Sequence, residues 1–221
     1  MSSSPERPTR LKLIELYASV QGESTHVGRP CTFIRLVGCH LRCTWCDSTY
    51  TFKGGDWWDL DQIMNQVAEL GPRLVEVTGG EPLLQKGCVP LMQALLDANY
   101  EVLLETSGAS DVSTVPDGVQ IIMDLKPPDS GEESKNIWEN LEHLDASDEI
   151  KFVIASRRDY EWSRDVVLQR GLTALHSVLF SPVWGQLEPR ILVDWIMEDG
   201  LDVRFQLQLH KVVWPAAERG V

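Results

Sequence analysis

The chain of 221 residues has no apolar run approaching the roughly 20 residues that a membrane-spanning helix needs. Its start, Met1-Ser2-Ser3-Ser4-Pro5-Glu6-Arg7-Pro8, lacks the apolar stretch of a secretory signal. Residues 1–10 are therefore expected to be a short disordered arm ahead of a single domain over 11–221. No run rich in Lys and Arg occurs: 20 basic residues stand against 33 acidic ones, for a net charge of -13. That argues against duplex nucleic acid as the main partner, because phosphate contacts need a basic face. Repeats and low-complexity segments are absent as well. Cysteine is scarce, five in all, and three of the five sit on one short stretch. Such clustering suits a reducing cytoplasm, where it signals metal rather than disulfides.

That stretch is Gly38-Cys39-His40-Leu41-Arg42-Cys43-Thr44-Trp45-Cys46-Asp47-Ser48, a C-x3-C-x2-C spacing. Cysteine thiolates hold iron–sulfur clusters. Three of them leave one iron of a cubic 4Fe–4S cluster free to bind a ligand. Zinc is the plainer alternative, but structural zinc takes four closed ligands. His40 is an awkward fourth ligand beside Cys39, and Cys31 and Cys88 are isolated.

Elsewhere the pattern alternates. Strands are expected over Leu11–Val20, Cys31–Val37, Arg73–Thr78, Glu101–Glu105, Val119–Leu125, Glu149–Ile154, Ser177–Phe180 and Val203–Leu209. Helices are expected from a capping box at Asp59 and Gln62 to Gly71, and over Val89–Ala98, Arg157–Arg170 and Glu188–Met197. The link Ala109–Gly118 is too short and broken for a full helix. Alternating strands and helices predict an α/β fold with a parallel sheet. Polar and glycine residues gather just past successive strands, where parallel barrels place their ligand sites. The expected architecture is a partial (β/α) barrel of about six core strands with a reduced helix set.

The cysteine stretch resembles the signature of the radical S-adenosylmethionine (SAM) enzymes. The resemblance implies a radical SAM fold and a cluster on Cys39, Cys43 and Cys46. Its open iron would chelate SAM, and reduction would cleave SAM to a 5′-deoxyadenosyl radical. Trp45 would pack near the adenine; core packing is its plain alternative. Thr78-Gly79-Gly80-Glu81-Pro82 resembles the family's glycine-rich motif, in which Gly79, Gly80 and Glu81 face SAM; alone it is only a turn. Thr106 and Ser107, then Asp124, Leu125 and Lys126, then Ser181, Pro182, Val183 and Trp184, look like further SAM contacts.

Tyr17-Ala18-Ser19-Val20-Gln21-Gly22-Glu23, Gly28-Arg29-Pro30, Arg35, Cys46-Asp47-Ser48, Lys151 and Leu209-His210-Lys211 narrow this to the 7-carboxy-7-deazaguanine synthase family. That resemblance implies a carbon–nitrogen lyase. It would ring-contract 6-carboxy-5,6,7,8-tetrahydropterin to 7-carboxy-7-deazaguanine with loss of ammonia, for 7-deazapurines such as queuosine. It also implies Mg2+, regeneration of SAM, a homodimer, and a flavodoxin- or ferredoxin-type reductant. Val20, Gln21, Gly22, Glu23, Thr78 and His210 would bind the pterin. Arg35, a charge inside an apolar strand, would bind the substrate carboxylate; an arginine facing water is its alternative. Ser48 would be the magnesium ligand, or else a loop hydroxyl bonded to backbone. Two departures stand out: Ser24 where the family usually has glycine, and a chain that continues from Trp214-Pro215 to Val221. In members that end soon after the His-Lys pair, the terminus helps hold the pterin.

Two rivals share parts of this pattern. An activase that makes a glycyl radical on another enzyme would share the cluster but consume SAM. A cluster protein that only carries electrons would leave Gly79-Gly80-Glu81 unexplained. The segment Gln21-Gly22-Glu23 with Asp47-Ser48 separates them from the synthase reading.

Overall fold

The computed structural model describes residues 9–214, 219 and 220. Nine strands form one sheet: β1 (Arg10–Val20), β2 (Pro30–Leu36), β3 (Asp56–Asp59), β4 (Leu74–Gly79), β5 (Glu101–Thr106), β6 (Val119–Asp124), β7 (Glu149–Ile154), β8 (Ser177–Pro182) and β9 (Arg204–Phe205). Their spatial order is β3-β1-β2-β4-β5-β6-β7-β8-β9. From β2 onward every pairing is parallel, whereas β1 runs antiparallel to both β2 and β3. The sheet does not close. The expected partial barrel is what forms, with six full-length parallel strands and a two-residue seventh.

Helices α1 (Leu60–Leu70), α2 (Cys88–Asp97), α3 (Arg157–Arg170) and α4 (Pro189–Asp199) cover the outside, and α5 (Leu209–Val213) follows β9. Asp59 and Gln62 form the expected capping box, with the Asp59 amide donating to Gln62 Oε1 at 2.9 Å. No helix joins β5 to β6, and only 3-10 turns lie between β6 and β7.

Side chains alternate across a strand, so each strand sends every second residue inward. Ile34 and Leu36, Val75 and Val77, and Val102 and Leu104 point out under α1 and α2. Ile150, Phe152 and Ile154 do the same under α3 and α4. The inner face begins apolar, with Cys31, Phe33, Leu74, Leu103 and Ile122 in one small cluster. Two residues further along the same faces stand Arg35, Glu76, Glu105 and Asp124, with Thr78 two beyond Glu76. The barrel interior is thus greasy at one end and charged at the carboxyl ends of its strands.

The sequence reading needs correcting in four places. Arg10, assigned to the arm, starts β1 and pairs with Asp59 at 2.9 Å; residues 1–8 lie outside the described residues. The last strand is two residues long, not Val203–Leu209, and Leu209 opens a helix, because Gln206 and Gln208 turn their amides to Glu23. Strand β3, with Trp57 and Trp58, escaped notice because it has only four residues. Ser181 and Pro182, read as a loop, are the buried end of β8.

Candidate active site

The cysteine loop leaves β2 and is held by backbone. The Gly38 amide donates to Thr51 O at 2.8 Å, the Glu81 amide to Gly38 O at 2.7 Å, and the Thr44 amide to Ser130 O at 3.0 Å. Arg42 lies over the Phe52 ring at 4.1 Å. Cys39, Cys43 and Cys46 are half-buried and all line one cavity of about 600 Å³. Burial raises all three thiols, Cys43 to about 11. Backbone amides meet two of the sulfurs, Leu41 at 3.4 Å from Cys39 Sγ and Ser48 at Cys46. Cys31 and Cys88 are fully buried in the apolar core, and burial raises Cys88 to about 12. Among the described residues, no three His, Cys, Asp or Glu side chains converge on a single ion, as tetrahedral zinc would require. Three thiols around one cavity, spaced apart and nearly partnerless, fit a cluster with several irons.

The glycine-rich loop after β4 packs directly on this loop. A Cβ on Gly80 would stand 2.2 Å from Gly38 O and 2.9 Å from Cys39 Cβ, so only glycine fits. Glu81 is fully buried and ties two loops together: it accepts from Thr106 Oγ1 at 3.0 Å, the Ser107 amide at 2.8 Å and Ser107 Oγ at 2.5 Å. Lys126 reaches Asp124 at 2.8 Å. Burial opposes its charge, but Asp124 and Cys43 outweigh that and raise its pKa. Asp124 Oδ1 is buried, has no partner, and belongs to a side chain lining the cavity. An orphaned acceptor beside three open thiols suits a ligand that brings its own hydroxyl or amine donors, as SAM would.

Deeper in, charged groups pair off. Lys151 reaches Glu23 at 3.0 Å and contacts Glu105, which also accepts from Thr78 Oγ1 at 3.0 Å. Burial works against the Glu105 charge, but Lys151 prevails and holds the carboxyl at about 2. Glu76 is fully buried; burial and then Glu105 push its carboxyl well above the ordinary range, and Gln21 Nε2 donates to it. Arg35 meets Glu15 at 2.7 Å and Tyr17 Oη at 3.2 Å. The idea that Arg35 is an unpaired charge is therefore wrong: Glu15, one strand over on β1, compensates it. With its side chain 16% exposed, it lines the cavity.

The segment 21–28 runs past the amino-terminal ends of β6 and β7, where His26 bonds Gln120 and Thr25 bonds Glu149, and meets α5. The Leu209 amide donates to Gly22 O at 2.8 Å, and a Cβ on Gly22 would lie 2.3 Å from His210 Nδ1. This is why Gln-Gly-Glu and Leu-His-Lys, nearly 190 residues apart, belong to one site. Ser24 adopts φ 61, a left-handed conformation that glycine enters without strain, and its Oγ accepts from the His26 amide at 3.1 Å. Burial lowers the His210 pKa. Ser48 Oγ donates to Asp47 at 3.0 Å, while Asp47 is anchored by Lys211 at 2.5 Å. Burial pushes the Asp47 carboxyl up, yet Lys211 brings it to about 2.

Most expected site residues share this cavity: the three cysteines, Trp45, Ser48, Val20 to Glu23, Arg35, Thr78 to Gly80, Thr106, Ser107, Asp124, Lys126, Val183, Trp184 and His210. Four do not line it. Glu81 is spent on the loop junction; Leu125 is in the outer core, with its amide on Lys151 O; Ser181 and Pro182 are buried within β8. Tyr17, Asp47 and Glu105, each part of a motif read from the sequence, also line it, and so do Glu15 and Glu76, which were not singled out. The signal that marked Arg35, a charge inside an apolar strand, also marks Glu76 and Glu105.

Known proteins share this sequence and fold. The Radical SAM superfamily profile matches residues 33–129, so the barrel, its cysteine loop and its glycine-rich loop define a radical SAM enzyme, with a 4Fe–4S cluster and SAM as its cofactors. A 7-carboxy-7-deazaguanine synthase of Koribacter versatilis is 46% identical, over 96% of this chain and 100% of that protein. The Chlorobaculum tepidum protein of the same name is 44% identical, over 99% and 100%. The chain belongs to the 7-carboxy-7-deazaguanine synthase family. A crystal structure of QueE from Escherichia coli superposes with a TM-score of 0.76 at 22% identity, over 91% of this chain and 95% of that one, and shares the fold.

Proposed function

We propose that this enzyme contracts the ring of 6-carboxy-5,6,7,8-tetrahydropterin to 7-carboxy-7-deazaguanine, releasing ammonia, in a pathway to 7-deazapurines. The observation that carries this reading is one cavity shared by the cysteine loop and the Gln21-Gly22-Glu23 and His210 junction. Cys39, Cys43 and Cys46 would hold the cluster. When bound, cluster and SAM supply a hydrogen-abstracting 5′-deoxyadenosyl radical. Trp45, Gly80, Asp124, Lys126 and the Val183-Trp184 pair would hold SAM, with Asp124 Oδ1 accepting from it. Glu81 serves by fixing Thr106 and Ser107.

Gln21, Gly22, Glu23, Thr78 and His210 would hold the pterin, and a pterin's many N–H donors suit the side-chain oxygens of Glu23 and Glu105. Arg35 uses Nε and Nη2 on Glu15 and Tyr17, which leaves Nη1 for the substrate carboxylate. Ser48 would be the chain's ligand to magnesium, a hard cation that takes oxygen ligands and keeps several waters. No carboxylate set converges there among the described residues, so substrate oxygens and water would complete the shell. The C-terminal segment meets the same cavity: Arg219 lies over the Tyr50 ring at 4.0 Å and lines it with Gly220, whereas residues 215–218 and Val221 lie outside the described residues. The reading also includes a homodimer, a protein reductant and a cytoplasmic setting. No described helix is long and apolar enough to cross a membrane.

The test is an anaerobic assay of reconstituted enzyme with dithionite, SAM, Mg2+ and the carboxytetrahydropterin. Deazaguanine should form in excess over SAM consumed, with label passing from substrate C6 into SAM. The Ser48→Ala variant should keep its cluster and lose most magnesium stimulation, while Ser48→Thr retains it. One 5′-deoxyadenosine released per product would overturn SAM regeneration, and no product at all would overturn the reaction.

A further inference from the structure

A second groove, of about 410 Å³, lies outside the active-site cavity, bounded by Arg10, Lys12, Val37, Trp57, Leu84 and Lys86, with Gln85 on its floor. Trp57 is 56% exposed and Leu84 48%, so an apolar centre stands open to solvent. Arg10 pairs with Asp59, and its guanidinium lies 5.9 Å from the Trp57 ring. Lys12 and Lys86 have no ion-pair partner among the described residues. Asp56 is on the same short strand as Trp57 but does not line the groove. The balance is positive, on a chain whose net charge is -13.

The groove backs onto the cluster loop. Gln85 Nε2 donates to Lys12 O at 2.9 Å and to Val37 O at 3.0 Å, while Gln85 Oε1 accepts from the Lys12 amide at 2.8 Å. Val37 lines the groove, and Cys39, two residues on, lines the active-site cavity. Their Cα atoms are at most about 7.6 Å apart. One thickness of backbone therefore separates an open basic and aromatic surface from the first cluster ligand.

We propose that this groove is where an acidic one-electron carrier protein docks to reduce the cluster. The inference rests on the proposed function, whose chemistry needs one electron from outside. The reduced carrier loses that electron and the oxidised cluster gains it, with no proton or bond changed. Charge complementarity selects the occupant. A chain at -13 repels an acidic carrier over most of its surface, so a local positive patch steers the encounter and fixes its orientation. An aromatic centre with a charged rim suits the small, weak interfaces of electron transfer.

The test uses reconstituted holoenzyme and a flavodoxin as the acidic carrier. Binding of the oxidised carrier is measured by calorimetry, and bleaching of the cluster's visible band is followed after mixing with reduced carrier or with dithionite. Lys12→Gln/Lys86→Glu should weaken binding and slow carrier-driven bleaching by about tenfold or more, while leaving dithionite-driven bleaching and product formation within about twofold. Arg190→Glu, on α4 toward the opposite edge of the sheet, should match wild type. In wild type, raising the salt should weaken binding, a measurement that does not depend on how any variant folds. Carrier binding and bleaching unchanged in the double variant, or lowered equally in Arg190→Glu, would overturn the docking site. A double variant that loses dimerisation instead would assign the groove to a second copy of the chain and also overturn it. Failure of dithionite to support product in wild type would count against the proposed function, and carrier binding would still report on the groove.

Discussion

The rim and the interior of the active-site cavity treat reactive groups in opposite ways. At the rim, three half-buried thiols stand with only backbone amides, those of Leu41 and Ser48, as partners among the described residues. A few residues inward, Glu15 with Arg35, Glu23 and Glu105 with Lys151, and Glu76 with Gln21 answer one another. Burying an unpaired charge is costly, so the interior is complete as folded. The thiols cost little while protonated, and the chain leaves them for something it does not encode. The interior reads its ligand with preset charges, whereas the rim takes its chemistry from a cofactor.

The pairing can be broken at its strongest point. Lys151 is 5% exposed at its side chain and faces both Glu23 and Glu105. Lys151→Met should cost about 3–5 kcal/mol, because two carboxylates lose their buried counter-charge. Burial opposes the Lys151 charge, but Glu105 and then Glu23 raise its pKa well above the ordinary 10.5, so its contribution is present below that pH and lost only above it. Glu105 sits at about 2 against an ordinary 4.5, so its share is present above pH 4.5 and lost as pH falls toward 2. The stability gap between wild type and Lys151→Met, from urea titrations, should be level from about pH 5 to 9 and shrink in acid. A gap under 1 kcal/mol at pH 7 would show that the carboxylates do not need the lysine.

Glu76 sharpens the same contrast with a smaller effect. Burial, and then the neighbouring Glu105, push its carboxyl well above the ordinary range. Glu76→Gln preserves the shape of the protonated carboxyl and should change stability by less than about 1 kcal/mol below pH 4.5. The folded pKa lies above the unfolded one, so wild type should lose stability relative to Glu76→Gln as pH rises past 4.5. Equal pH slopes in the two proteins would show that Glu76 is charged when folded.

The barrel was legible because alternation of strands and helices dictates it, and the cysteine loop because its spacing is local. The short ends were not legible. Trp57 and Trp58 look like loop residues until β1 is there to pair with them, and Leu209 reads as strand until Glu23 draws Gln206 and Gln208 aside. Arg35 lines the cavity, but its compensation by Glu15 depends on the β1–β2 register, which the sequence does not display. Glu81 looked like a ligand contact because it ends a motif, while its oxygens are used on Thr106 and Ser107. Ser24 could be marked as unusual from the sequence, but only the backbone angle gives the reason: a left-handed turn held by its own hydroxyl.

The contrast is tested most directly by anaerobic reconstitution of single and double cysteine variants, with iron and sulfide counted per chain alongside the visible spectrum. Cys39→Ala, Cys43→Ala and Cys46→Ala should each lose most of the four irons and the cluster absorbance. Cys31→Ala/Cys88→Ala should load like wild type, even if less stable, because both thiols lie in the apolar core. Full loading in Cys43→Ala, or lost loading in a folded Cys31→Ala/Cys88→Ala, would contradict the claim that the three rim thiols alone are left open for the cluster.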